Sequence, residues 1–211
     1  MFYLWILFYL IIPLQVRLFA VNREFTRLTI ENGLSQSTVF DIIQDKKGYL
    51  WVTTQDGLNR YDGYTFKVFR HSITDSQSIS DNSLSRLIQD KNGDIWISGA
   101  NGNINRYHYE NGKFSLYNLI KSDETLENAY INSMVLDSAG YIWFGMKGAI
   151  SRLNPLTQNT TVYHRYSSNN EMKSPFVFID KKIRFGPAIK KGCIFLTKPK
   201  KNLNWLVISL Y

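Results

Sequence analysis

The sequence predicts an all-β protein built from one four-stranded unit used several times, and three observations carry that expectation. Trp51, Trp96 and Trp143 lie 45 and 47 residues apart. Each stands six residues after an aspartate (Asp45, Asp90, Asp137) and three after a glycine (Gly48, Gly93, Gly140). An apolar–polar–Arg triplet then follows in every copy, ending at Arg60, Arg106 and Arg152. A period of roughly 20 to 50 residues is the mark of a repeat architecture.

Within the first copy the strands are expected at Thr38–Ile43, Tyr49–Thr54, Leu58–Tyr61 and Thr65–Phe69. These runs are rich in β-branched and aromatic residues and are separated by turn signals. Asp-x-x-Gly suits a type I turn, with the aspartate bonding back onto the turn and glycine supplying a positive φ where the next strand begins. Gln55-Asp56-Gly57 marks the second hairpin, and Asp62-Gly63 or Asn111-Gly112 the third. No helical period appears after residue 20. Four short strands recurring at this spacing have the size of a propeller blade. The expected architecture is therefore a partial β-propeller of three clear blades, at about 37–70, 83–118 and 130–165 within residues 25–166, plus a degenerate fourth.

The fourth copy is expected within residues 171–211. Lys191–Pro199 lines up with Lys147–Pro155 at a constant offset of 44. Ile179–Gly186 resembles Leu136–Gly145 with a turn two residues shorter and Arg184 where tryptophan is expected. A decayed blade and an unrelated basic tail are the two readings of this segment. It also holds most of the charge. Nine Lys or Arg stand against Glu171 and Asp180 there, a net +7 of the chain's +8. A nucleic-acid binder spreads its basic residues over a folded face, so no nucleic-acid partner is expected.

Phe2–Ile12 is an unbroken apolar run ended by Pro13. At eleven residues it is shorter than the roughly 20 a membrane-spanning helix needs, and it suits the apolar region of a secretory signal. Residues 1–20 are read as a signal peptide cleaved after Ala20 or as an uncleaved N-terminal anchor. Either one places the protein in the periplasm or at the inner membrane, touching the membrane only through this segment. The single Cys193 allows no intramolecular disulfide.

Asp45-Lys-Lys-Gly48-Tyr-Leu-Trp51-Val-Thr-Thr-Gln-Asp-Gly57-Leu-Asn-Arg60-Tyr61, and with it Glu31–Gly63 including Gly33-Leu-Ser35, resembles the two-component regulator propeller repeat. The resemblance covers residues 25–166 well and 171–207 poorly. It implies the periplasmic sensor region of a hybrid two-component histidine kinase of Bacteroidetes type, many of which sense oligosaccharides and switch on genes for their uptake and breakdown. Three good blades are fewer than a closed ring needs. No second apolar span, glycine-rich nucleotide loop or helical phosphoacceptor histidine (among His71, His108 and His164) follows them. The expectation is a truncated sensor without kinase output, hence no enzyme.

Other chemistry competes with packing for the same residues. Asp90-Lys-Asn-Gly-Asp94 falls short of a calcium loop, because Ile95 takes the position that needs glycine and Asn101 the one that needs a bidentate glutamate. The three tryptophans share one mid-strand phase, which favours packing between blades over stacking on sugars. Arg60, Arg106 and Arg152 are expected to pair with a turn aspartate of their own or a neighbouring blade. No catalytic residue, metal site or cofactor is expected, and no Ser or His stands in a recognisable constellation. Ligand contacts are assigned to loops such as Asp75–Asn82 and Ser122–Asn128. Ligand sensing, with an oligosaccharide as partner, leads two rivals: a propeller lyase or hydrolase, and a structural module that self-associates through open blade edges.

Overall fold

The structure is a computed structural model, and it describes residues 26–118, 130–146, 149–165, 176–179 and 183–186. Residues 1–20, Ser122–Asn128, Cys193 and most of the segment from 171 onward lie outside the described residues. A single 3₁₀ turn, Ile30–Asn32, precedes the first strand. The first blade comprises β1 (Val39–Gln44), β2 (Leu50–Thr54), β3 (Gly57–Tyr61) and β4 (Phe66–Phe69). The second comprises β5 (Leu84–Gln89), β6 (Ile95–Gly99), β7 (Asn103–Tyr107) and β8 (Phe114–Asn118). The third comprises β9 (Ile131–Leu136), β10 (Ile142–Met146), β11 (Ala149–Leu153) and β12 (Thr160–Arg165).

Each blade is an antiparallel meander in chain order. A further hairpin, β13 (Phe176–Ile179) and β14 (Ile183–Gly186), pairs antiparallel and packs on β9 and β10. It is a two-stranded sheet of its own, within the segment for which a decayed blade and a basic tail are the two readings. The architecture is all-β with three four-stranded blades.

First strands touch first strands, β1 on β5, β5 on β9 and β9 on β13, so they form the inner edge of the arc. The sheets are stacked face to face, and the core is divided among the joints between them. Trp51 and Leu58 pack with Ile79, Leu84, Leu87 and Ile95 of the next blade. Trp96 and Ile104 pack with Ile131, Met134, Ile142 and Phe144. Trp143 and Ile150 meet Val177 of β13. Because a middle strand is covered on both faces, β6 and β10 are buried throughout rather than alternating. The first strands carry bulges, between Val39 and Asp41 in β1 and between Leu84 and Leu87 in β5. A bulge re-aims the side chains beside it, and here those are Asp41 and Arg86.

Candidate functional site at the blade joints

The repeated motif closes on itself through one carboxylate. Asp45, Asp90 and Asp137 each accept the indole N–H of the tryptophan six residues on, at 2.6, 2.9 and 2.9 Å. The other carboxylate oxygen accepts the backbone N–H of Tyr49, Asp94 or Tyr141 at 2.9–3.0 Å. The glycine N–H of each turn donates to the aspartate carbonyl, and Gly48, Gly93 and Gly140 adopt φ of 90°, 99° and 94°. The left-handed backbone explains glycine there. Trp51 and Trp96 are fully buried and Trp143 is 8% exposed.

Each arginine stands opposite its tryptophan across the ladder: Trp51 with Arg60, Trp96 with Arg106, Trp143 with Arg152. Their partners differ. Arg106 reaches Asp94 at 2.8 Å and Asp90 at 3.6 Å. Arg60 lies over the Tyr49 ring at 4.7 Å, and Arg152 over Tyr141 at 4.2 Å and Tyr163 at 5.1 Å. Where the residue before the strand is Asp94 the guanidinium makes an ion pair, and where it is tyrosine a cation–π contact takes its place.

Several residues that pattern reasoning passed over hold the joints. Asn59 and Asn105, in the middle of the triplets, clamp the lead-in chain. Their side-chain oxygens accept from Ser35 N and Ser80 N, both at 2.9 Å, and their amides donate to the same serines' hydroxyls. The Asp75–Asn82 loop is thereby tied to its own blade, with Ile79 fully buried. At the inner edge Arg86 joins three blades, donating to the Asn132 carbonyl at 2.6 Å and the Phe40 carbonyl at 3.4 Å. Asp41 accepts from Leu87 N at 3.0 Å. Burial pushes the Asp41 carboxyl above its ordinary value, against the Leu87 N–H and the Arg86 charge, which pull it down. One position on, Ser133 Oγ accepts from Val177 N at 2.8 Å. Asp41, Arg86 and Ser133 occupy one repeat position and differ in chemistry, so periodicity gave no signal for them.

The fold brings together a serine, a histidine and an aspartate that are apart in the sequence. Ser115 Oγ lies 2.7 Å from His108 Nε2, and His108 Nδ1 lies 3.4 Å from Asp94 Oδ2. These three come together because His108 closes the β7–β8 hairpin while Arg106 faces Ser115 across it. Asp94 is nearer Arg106 than His108 and also accepts from Tyr109 N at 2.9 Å. The cluster therefore pins the hairpin to the turn of its own blade.

Comparison with known proteins places this geometry. The family described as two component regulator propeller matches residues 33–56, 78–101 and 125–148, one segment in each blade. The three matched segments are similar to the repeats of that family. Each matched segment contains the aspartate, glycine and tryptophan of its repeat, with the first two strands of that blade. A histidine kinase P4 of Formosa agariphila is 58% identical over 59 residues, 28% of this chain and 4% of that protein. The chain thus spans a small fraction of the length of this curated relative. Among solved structures, the extracellular domain assigned to a hybrid two component system of B. thetaiotaomicron is similar with a TM-score of 0.59. The two are 32% identical over 66% of this chain and 20% of that one. The WD40 β-propeller domain of Doa1, 14% identical over 72% of this chain and 50% of its own, shares the fold with a TM-score of 0.54.

Proposed function

We propose that this regulator propeller is the ligand-sensing region of an extracytoplasmic two-component sensor, and that its ligand is an oligosaccharide. The observation that carries this reading is the 32% identity to an extracellular domain assigned to a hybrid two component system. The apolar run at Phe2–Ile12 supports export. The stacked blades supply a rigid frame in which a ligand bound across a joint alters how two sheets meet. The polar inner edge, with Asp41, Arg86 and Asn132 from three successive blades, supplies groups for hydroxyl recognition.

The test is a thermal-shift and calorimetric titration of the protein against a panel of plant and host oligosaccharides. Saturable binding by one glycan class is expected, with stabilisation of about 2.7 kcal/mol when the ligand is present at a hundred times its Kd. Failure of every glycan to bind would overturn the ligand class. Release of shortened or unsaturated products would replace sensing by the hydrolase or lyase reading. An alkaline phosphatase fusion after residue 165, active only when exported, tests the location separately.

A further inference from the structure

The joint between the first and second blades is plugged by one side chain, Tyr109. Its ring meets Trp51 edge-on with centroids 6.0 Å apart, and Lys47 Nζ lies 4.1 Å from the ring centre. Its hydroxyl donates to the Asp45 carboxylate and accepts from Trp51 Nε1 at 3.2 Å. The phenol thus completes the aspartate–tryptophan pair of the preceding blade.

The joint between the second and third blades has the same aspartate–tryptophan pair, and among the described residues no tyrosine at the corresponding position plugs it. The ladder pairs Trp96 with Arg106 and Trp143 with Arg152, so the residue three beyond each arginine is in register, and Tyr109 corresponds to Pro155. A proline ring is smaller and carries no hydroxyl. What remains is a cleft of ≈ 280 Å³ bordered by Asp90, Arg106, Tyr141, Asn154, Pro155 and Leu156. Asp90 Oδ2 holds Trp96 Nε1 at 2.9 Å, as Asp45 holds Trp51, with the Arg106 guanidinium 3.6 Å away. Pockets for drug-sized ligands run from about 300 Å³ upward, so this one suits a single ring.

We propose that this cleft binds a small monocyclic phenol, whose hydroxyl donates to Asp90 and whose ring takes the place that Tyr109 fills one joint earlier. The ligand class follows from the protein's own repetition: one joint shows which chemistry the aspartate–tryptophan pair accepts, and the next leaves room for it. The proposal does not depend on the oligosaccharide reading. It adds a second ligand, held by Asp90 rather than by the inner-edge groups Asp41, Arg86 and Asn132.

The experiment titrates the full chain with p-cresol, the free form of the tyrosine side chain, by calorimetry and ligand-observed NMR. Toluene, which lacks only the hydroxyl, is the control. Saturable binding of p-cresol is expected at millimolar concentration or below, with toluene at least about tenfold weaker, the difference of one modest hydrogen bond. Pro155→Tyr supplies the missing plug and is expected to abolish p-cresol binding. Ala139→Phe blocks the cleft from an exposed position, and the same loss is expected if the first variant does not fold. No saturable p-cresol binding, equal affinity for toluene, or undiminished binding in both blocked variants would each overturn the proposal.

Discussion

Trp51 donates its indole N–H to the carboxylate of Asp45 at 2.6 Å, inside a joint where the indole is fully buried. The same carboxylate holds the backbone N–H groups of Lys47 and Tyr49, at 2.8 and 3.0 Å. One side chain thus shapes the turn, satisfies a buried donor and fixes the ring that packs against the next blade.

Asp45→Ala therefore leaves several donors without an acceptor at once. The expected cost is about 3–5 kcal/mol, since each buried unpaired donor costs about 1–3 kcal/mol. Trp51→Phe keeps most of the packing and removes one donor, so about 1–3 kcal/mol is expected. Urea unfolding of both variants and of the double mutant should show a coupling of about 1–3 kcal/mol. Additive losses would mean the two residues act independently.

What repeats was legible in the sequence, and what joins the repeats was not. Strand positions followed from Asp45, Gly48 and Trp51 and their counterparts because turn, ladder and packing all act within one blade. The structure places β1 at Val39–Gln44 against an expected Thr38–Ile43, one residue along. The joints depend on residues that differ between copies. Tyr109 is replaced by Pro155 in the next copy, and Asp41, Arg86 and Ser133 share a position with three chemistries, so no period could single them out. Arginine partners were hidden for the same reason: they depend on whether Tyr49, Asp94 or Tyr141 stands at the end of the turn.

Two glycines with similar backbones should respond differently to alanine. Gly48 has φ of 90° and open space where a Cβ would stand. Gly48→Ala should cost about 1–2 kcal/mol, the price of a left-handed L-residue. Gly57 has φ of 115°, and its Cβ would lie 2.7 Å from the Phe69 carbonyl oxygen. Gly57→Ala adds that backbone clash to the strain, for a total of about 2–5 kcal/mol. Equal melting temperatures for the two variants would refute the distinction.

Two arginine–carboxylate pairs differ in environment. Arg70 and Asp56 are 48% and 45% exposed, whereas Arg106 is 16% exposed and touches two aspartates. Arg70→Ala should cost no more than about 1 kcal/mol and less in high salt. Arg106→Ala leaves Asp94 and Asp90 half-compensated in the interior and should cost about 3–5 kcal/mol. Denaturation at low and high salt separates the two, and a salt-insensitive Arg70 pair would count against this account.

Asp41 gives a pH signature with a defined sign. Burial raises its folded carboxyl above its unfolded value. Between those two values the folded chain holds a proton the unfolded chain has released, so stability falls as pH rises through that window. Asp41→Asn cannot titrate and keeps an oxygen for the Leu87 N–H. The stability of the wild type relative to this variant should therefore decline with rising pH just above the ordinary carboxylate range, then level off. A flat difference between about pH 3 and 7 would show that Asp41 titrates as a free carboxyl.

Tyr109 tests whether the two joints differ only by their plug. Tyr109→Ala removes a ring packed on Trp51 and Tyr107, with centroids 6.0 and 5.4 Å away, together with the hydroxyl on Asp45. A loss of about 2–4 kcal/mol is expected, somewhat below that of a fully buried aromatic because Tyr109 is half-buried. The emptied joint keeps Asp45 and Trp51 in place, since each is also held by the turn and the next blade. It should then resemble the joint bordered by Pro155, and p-cresol should restore part of the lost melting temperature while toluene restores less. Full loss of structure that p-cresol does not reverse would mean that Tyr109 is needed to assemble the joint. Rescue by both compounds alike would mean that shape alone, without the hydroxyl on Asp45, governs what the joint accepts.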